Sequence, residues 1–188
     1  MSKPPQRHGF TMVEMMVTVA VIAVLLLVAA PSLADMLSRY RVELAANELK
    51  TNIALARTEV GLRARTVALE FKQGNEGSCY TMSVIGTVSG RCDCTKGAGS
   101  ACRGQQPELK TVTLARGSGV TLSPSATWPD SYSVNYLRLD PPRITADPAD
   151  FAVLIKGSRA GQLLIKLNPL GRISTCTPDR SMPGYEPC

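Results

Sequence analysis

The sequence predicts an α+β fold, in which a long N-terminal helix crosses a membrane with its first half and packs its second half on a disulfide-bonded antiparallel β-sheet domain. Three observations carry this: an uncharged apolar run near the N-terminus, an amphipathic continuation of the same helix, and a succession of short β-prone segments that hold all six cysteines.

The apolar run is the firmest of the three. From Met15 to Ala34 no residue is charged, and twenty residues rising about 1.5 Å each reach across roughly 30 Å of hydrocarbon. Beyond Pro31 the segment DMLSRYRVELAANELKTNIALARTEVGLRAR keeps a helical period: Ala45, Leu49, Ile53, Ala56 and Val60 recur at steps of three and four. This stripe is expected to pack on a sheet, with charged residues filling the other face and Gly61 ending or fraying the helix. The chain then divides into residues 1–9, a basic leader; 10–34, the membrane half of the helix; 35–63, its amphipathic half; and 64–188, a β-rich globular domain.

From Arg65 onward the pattern changes to TVALEFK, YTMSVIG, KTVTLA, GVTLS, YSVNYLRL, FAVLIKG, QLLIKLN and GRISTC, separated by Gly, Pro, Asn and Ser. Seven or eight strands after one helix form antiparallel sheets wrapped against it. The insert SGRCDCTKGAGSACRGQQ reads as a stapled surface loop. Cys79, Cys92, Cys94, Cys102, Cys176 and Cys188 are even in number and follow a membrane segment, the usage of an oxidising compartment. Cys176 is expected to pair with Cys188 around the tail. Three connectivities are open to the other four, and Cys79 with Cys92 and Cys94 with Cys102 are the preferred pairs. Zinc sites favour two to four residues between paired cysteines, more than Cys92 and Cys94 leave, and no metal is expected.

The N-terminus MSKPPQRHG carries Lys3 and Arg7 and no acid, so the positive-inside tendency keeps it in the cytoplasm and sends the domain outward. Such an end has three possible fates: a cut after the apolar run, no cut, or a cut before the run. Glu14 favours the last. An acid inside a membrane helix costs about 2.5–3.5 kcal/mol and calls for a partner. Cutting between Gly9 and Phe10 creates one, because the new α-amino group of Phe10 can pair with Glu14 of a neighbouring parallel helix, and an unpaired buried charge enforces the register.

RHG-FTMVEMMVTVAVIAVL resembles the class III signal of type IV pilins and type II secretion pseudopilins. The resemblance implies that a prepilin peptidase cuts after Gly9 and methylates Phe10, that Glu14 aligns subunits during assembly, and that the helix bends at Pro31. The segments LARTEVGLRARTVAL and NPLGRISTC are similar to the GspH/FimT family of minor pilins and pseudopilins. Implied partners are the peptidase, the inner membrane, and other major and minor pilins or pseudopilins met through the helix. The domain would lie in the periplasm or in an extracellular pilus. The favoured function is a minor pilin of an initiating or tip subcomplex; a minor pseudopilin of a type II secretion machine and a DNA-binding minor pilin for natural transformation are the alternatives.

Enzyme chemistry is poorly served. The single histidine, His8, leaves with the leader, which removes the usual general base, and no phosphate-binding GxxxxGK[ST] loop is present. Asp147 and Asp150 flank Pro148 and read as turn residues. A non-enzyme without cofactor is expected. The chain has a net charge of +6 and remains positive after losing Lys3 and Arg7, with basic residues concentrated late. DNA-binding members of the family use a Gly-Arg-x-Arg element; Gly171-Arg172-Ile173-Ser174 matches its first half, making Arg172 the candidate phosphate contact.

Overall fold

A computed structural model describes residues 10–85, 92–103, 106–126, 132–133 and 135–188. Among the described residues one α-helix, α1 (Met12–Arg63), precedes ten strands: β1 (Val67–Gly74), β2 (Gly77–Val84), β3 (Glu108–Ala115), β4 (Val120–Ala126), β5 (Tyr132–Ser133), β6 (Tyr136–Asp140), β7 (Thr145–Asp147), β8 (Phe151–Gly157), β9 (Gln162–Leu167) and β10 (Ile173–Cys176). The α+β class is as the sequence predicts. All the strand pairs are antiparallel and form two five-stranded sheets, ordered β3-β2-β1-β6-β7 and β10-β9-β8-β4-β5.

Both sheets lean on α1. Ala45, Leu49, Ile53, Ala56 and Val60 are all buried, joined by Val42 and Ala46, so the helical period locates the core face. From the first sheet come Leu69, Phe71, Tyr80 and Met82, from the second Leu122, Phe151, Val153, Ile155 and Ile165. Phe71 lies 5.4 Å from Tyr80 and 5.7 Å from Phe151 between ring centroids, bridging the sheets. A polar network locks the helix to the edge of the first sheet: Asn52 Nδ2 donates to the Tyr80 hydroxyl (2.6 Å), and Lys110 Nζ reaches both Asn52 Oδ1 (3.1 Å) and Glu48 (3.2 Å). Burial raises the Tyr80 pKa, so the phenol remains a neutral hydrogen-bonding group.

Three expectations need correction. Gly61 does not end the helix; α1 continues to Arg63, and Ala64 takes the left-handed conformation (φ 49°) that closes it. YSVNYLRL is not one strand: β5 pairs with β4 in the second sheet and β6 with β1 in the first. The inner cysteines pair as Cys79–Cys94 and Cys92–Cys102, with Cα separations of 5.8 Å and 4.2 Å, in place of the preferred pairs. Cys176–Cys188 is present as expected. β7, which takes in Asp147, had no counterpart in the sequence pattern.

The changed cysteine pairing has a visible cause. Residues 92–103 fold over the face of the first sheet that points away from α1, where Ala68, Cys79, Thr81 and Ser83 are buried. Glu108 gathers this loop by accepting from the amides of Gly99 (2.9 Å) and Ala101 (3.2 Å) and from the Thr111 hydroxyl (2.6 Å). Asp93 accepts from the Thr95 hydroxyl (2.6 Å) and meets Lys72 at 2.9 Å.

Candidate assembly interface

Of the candidate residues, Glu14 lies on α1 and Phe10 just before it, and the domain fixes where the helix leaves it. Gly157, at the end of β8, lets the backbone approach so closely that a Cβ there would sit 2.4 Å from the Ala160 carbonyl oxygen and 2.6 Å from Ser38 Oγ. Ser38 Oγ donates to the Ala160 carbonyl (2.7 Å) and accepts from its amide (3.1 Å). The tail closed by Cys176–Cys188 supplies Met182 to the core, and the Tyr185 hydroxyl donates to Glu43 (3.1 Å). Burial, with that bond to Glu43, raises the Tyr185 pKa. Together these contacts clamp α1 at residues 38–43.

On the N-terminal side of this clamp the helix is bare. Its large apolar residues from Phe10 to Leu37 outside position 28 are exposed, and α1 runs through Pro31 without a break. The helix is long and apolar enough to cross a membrane. At its start Thr11 is the N-cap, and Phe10 stands outside the helix at 78% exposure. Glu14 is exposed in the first turn and forms no ion pair among the described residues. Gly9, the expected cleavage residue, lies outside the described residues.

Along the amphipathic half the outward face is apolar at its centre, in place of the charged face the sequence predicts. Leu37, Tyr40, Leu44, Leu55 and Leu62 are 42% to 77% exposed, and with Thr51 and Thr58 they follow each other at steps of three, four and seven, one row along the helix. Arg41, Glu48 and Glu59 flank this row on one side and Arg39, Glu43, Lys50 and Arg57 on the other, the positions that three-and-a-half-fold spacing leaves between the core stripe and the outer stripe. The charges therefore line two edges, and an apolar seam continues from the membrane half down the domain. The same spacing is present in the sequence, parallel to the buried stripe.

Residues 4–30 match the prokaryotic N-terminal methylation motif. The folded chain superposes on the type IV minor pilin FimU of Pseudomonas aeruginosa strain PAO1 with a TM-score of 0.51 at 16% identity, covering 77% of this chain and 93% of that one. The chain thus joins that N-terminal motif to a fold like that of a type IV minor pilin. The FimU likeness is one of fold. The minor pseudopilin EpsH of the Vibrio cholerae type 2 secretion system superposes with a TM-score of 0.49 at 12% identity, over 73% of this chain and 98% of that one.

The other candidate residue, Arg172, lies in the globular domain between β9 and β10. It follows Gly171, which is left-handed (φ 68°), and its amide donates to Asn168 Oδ1 (2.7 Å). Its side chain is exposed, and Arg57 of α1 packs beneath Gly171. Ser174 is exposed on β10 opposite Lys166 of β9.

Proposed function

We propose that the chain is a minor pilin that joins an initiating or tip subcomplex of a type IV pilus, held there by its N-terminal helix. After cleavage behind Gly9 and methylation of Phe10 by the prepilin peptidase, the Phe10 amine of one subunit pairs with Glu14 of the next. The observation that carries this reading is the outward apolar seam on α1. A helix half sunk in its own domain gains nothing in water from five exposed large apolar residues; a neighbouring parallel helix would bury them, at about 25 cal/mol per Å² of apolar area. Apolar packing supplies affinity, and the charge pair at Glu14 supplies register, since a misaligned neighbour leaves a carboxylate uncompensated at membrane depth.

The test is co-purification of the chain with the other pilins of its host from sheared pili and from membrane extracts. Glu14→Ala should insert as well as the parent and lose co-assembly. Leu44→Glu and Leu55→Glu, both on the exposed seam, should leave the soluble domain folded and also lose it. Normal recovery of all three variants in the assembled fraction would refute the proposal, and recovery only with a protein-secretion complex would assign the chain to that machine instead.

A further inference from the structure

Arginines cluster at the foot of the domain, where α1 leaves its apolar half. Two turns meet the helix there. The turn between β8 and β9 brings Arg159 to 4.0 Å from Asp35, and a Cβ on its Gly161 would lie 3.2 Å from the Arg39 Cα. The turn between β3 and β4 holds Arg116, and its Ser118 carbonyl accepts from Arg41 Nη1 at 3.4 Å. The two turns adjoin, since the Ser158 amide donates to the Gly119 carbonyl at 2.7 Å. Arg39, Arg41, Arg116 and Arg159 are all exposed, and among the described residues Arg159 alone of the four has an ion pair. The acids on this side are Asp35, beside Arg159, and Glu76, whose carbonyl accepts from the Arg116 amide. Asp179 and Glu186 belong to the tail that follows β10, and β10 and β4 flank the β8–β9 pair on opposite sides. The two turns therefore carry more positive than negative charge.

Their height along the helix gives this charge a meaning. The uncharged run ends at Ala34, so positions 35–41 lie roughly 2–10 Å beyond the hydrocarbon it spans. The headgroup layer of one leaflet is about 5–7 Å thick. Side chains of a helix lean toward its N-terminus, here toward the bilayer, which brings the guanidinium groups of Arg39 and Arg41 back into that layer. Arg159, beside Asp35, stands at the same level.

We infer that Arg39, Arg41, Arg116 and Arg159 bind the phosphates of anionic phospholipids in the leaflet from which α1 emerges, with the two turns resting on the membrane surface. Guanidinium suits this contact because its planar fork meets phosphate oxygens in pairs. The lipid contact holds the domain at a fixed height before any neighbour joins it. It goes beyond the assembly reading and needs only an α1 that spans a bilayer, so either can fail without the other.

The test is native mass spectrometry of the full chain in mild detergent, after incubation with equal amounts of phosphatidylglycerol and phosphatidylcholine. The parent should retain phosphatidylglycerol in preference. Arg116→Gln with Arg159→Gln should lower that preference at least fivefold, the size expected for one basic residue at a charged surface, whereas Arg116→Lys with Arg159→Lys should keep most of it. Arg143→Gln with Arg172→Gln removes the same charge at the far end, where Gly171 lies against Arg57, roughly 28 Å along the helix from Ser38, and should leave the preference unchanged. A parent without preference, or an equal loss in the far-end pair, would overturn the inference. Displacement of the lipid by soluble glycerophosphate would overturn it too, by making the turns a site for free phosphate esters.

Discussion

Replacing Gly157 by alanine should loosen the joint between helix and domain, and the size of the effect follows from three distances. A Cβ at this position meets the Ala160 carbonyl oxygen at 2.4 Å, Ser38 Oγ at 2.6 Å and Val42 Cγ2 at 3.0 Å. Two of the three lie below the 3.0 Å that real Cβ contacts keep, and the first is a backbone atom, so the strand or α1 must retreat by more than half an ångström. Overpacking of this kind costs about 1–3 kcal/mol. The retreat also strains the two hydrogen bonds between Ser38 and Ala160, worth roughly 1 kcal/mol each. A loss of about 2–4 kcal/mol lowers Tm by roughly 5–15 °C in a chain of this size. Thermal unfolding of the full chain in detergent, followed by near-ultraviolet circular dichroism, measures it. Gly74→Ala is the control, because a Cβ there meets nothing within 4 Å and the glycine needs no left-handed φ. Equal Tm values for the two variants would refute the idea that close approach at Gly157 fixes the helix.

Removing the tail staple with Cys176→Ser and Cys188→Ser should cost roughly 3 kcal/mol by chain entropy and raise hydrogen exchange at residues 38–46, since the tail carries Met182 and Tyr185; unchanged exchange there would separate the tail from the helix. The Asp93 carboxylate is held at about 2, below its ordinary 3.8, first by the Thr95 hydroxyl and then by Lys72. Its folded pKa is depressed, so its contribution is complete above 3.8 and disappears as pH falls toward 2; amide exchange at Thr95 should quicken over that window and not above it. In a mobility-shift titration, Ser174→Arg should strengthen any binding of DNA, because position 174 is exposed on β10 two residues beyond the exposed Arg172, and Arg172→Ala should weaken it. Such binding must fall steeply with salt, and absence of any shift at low salt even for Ser174→Arg would end the DNA reading.

The helical parts of the fold were legible because each follows from a local rule. An uncharged run gives the membrane half, and a stripe at three and four residue steps gives the core face, whose members are all buried. Strands were legible as segments but not as sheets. Nothing local in YSVNYLRL says that Tyr132 joins β4 while Tyr136 joins β1, since pairing depends on residues far away in the chain. The cysteine error has the same origin: Cys79 sits on β2, and which partner reaches it depends on how residues 92–103 lie over the sheet, a placement set by Glu108 and Asp93. At the helix start the sequence yielded Glu14 through its insertion cost, whereas Thr11 passed as an ordinary residue until its hydroxyl was seen to cap the first turn. The outer seam was missed for a different reason. Its leucines share the helical period with the core stripe, and only burial distinguishes the two rows.

Pairing through Glu14 depends on where the mature chain begins, because only a cut before the apolar run leaves the membrane helix in place and puts an amine four residues from Glu14. Intact-mass measurement of the protein extracted from its native membrane decides this. The predicted result is a chain that starts at Phe10, carries one added methyl group and has every cysteine oxidised. A chain that retains Met1–Gly9, or one that starts near Pro31 or Asp35 after loss of the apolar run, would contradict it.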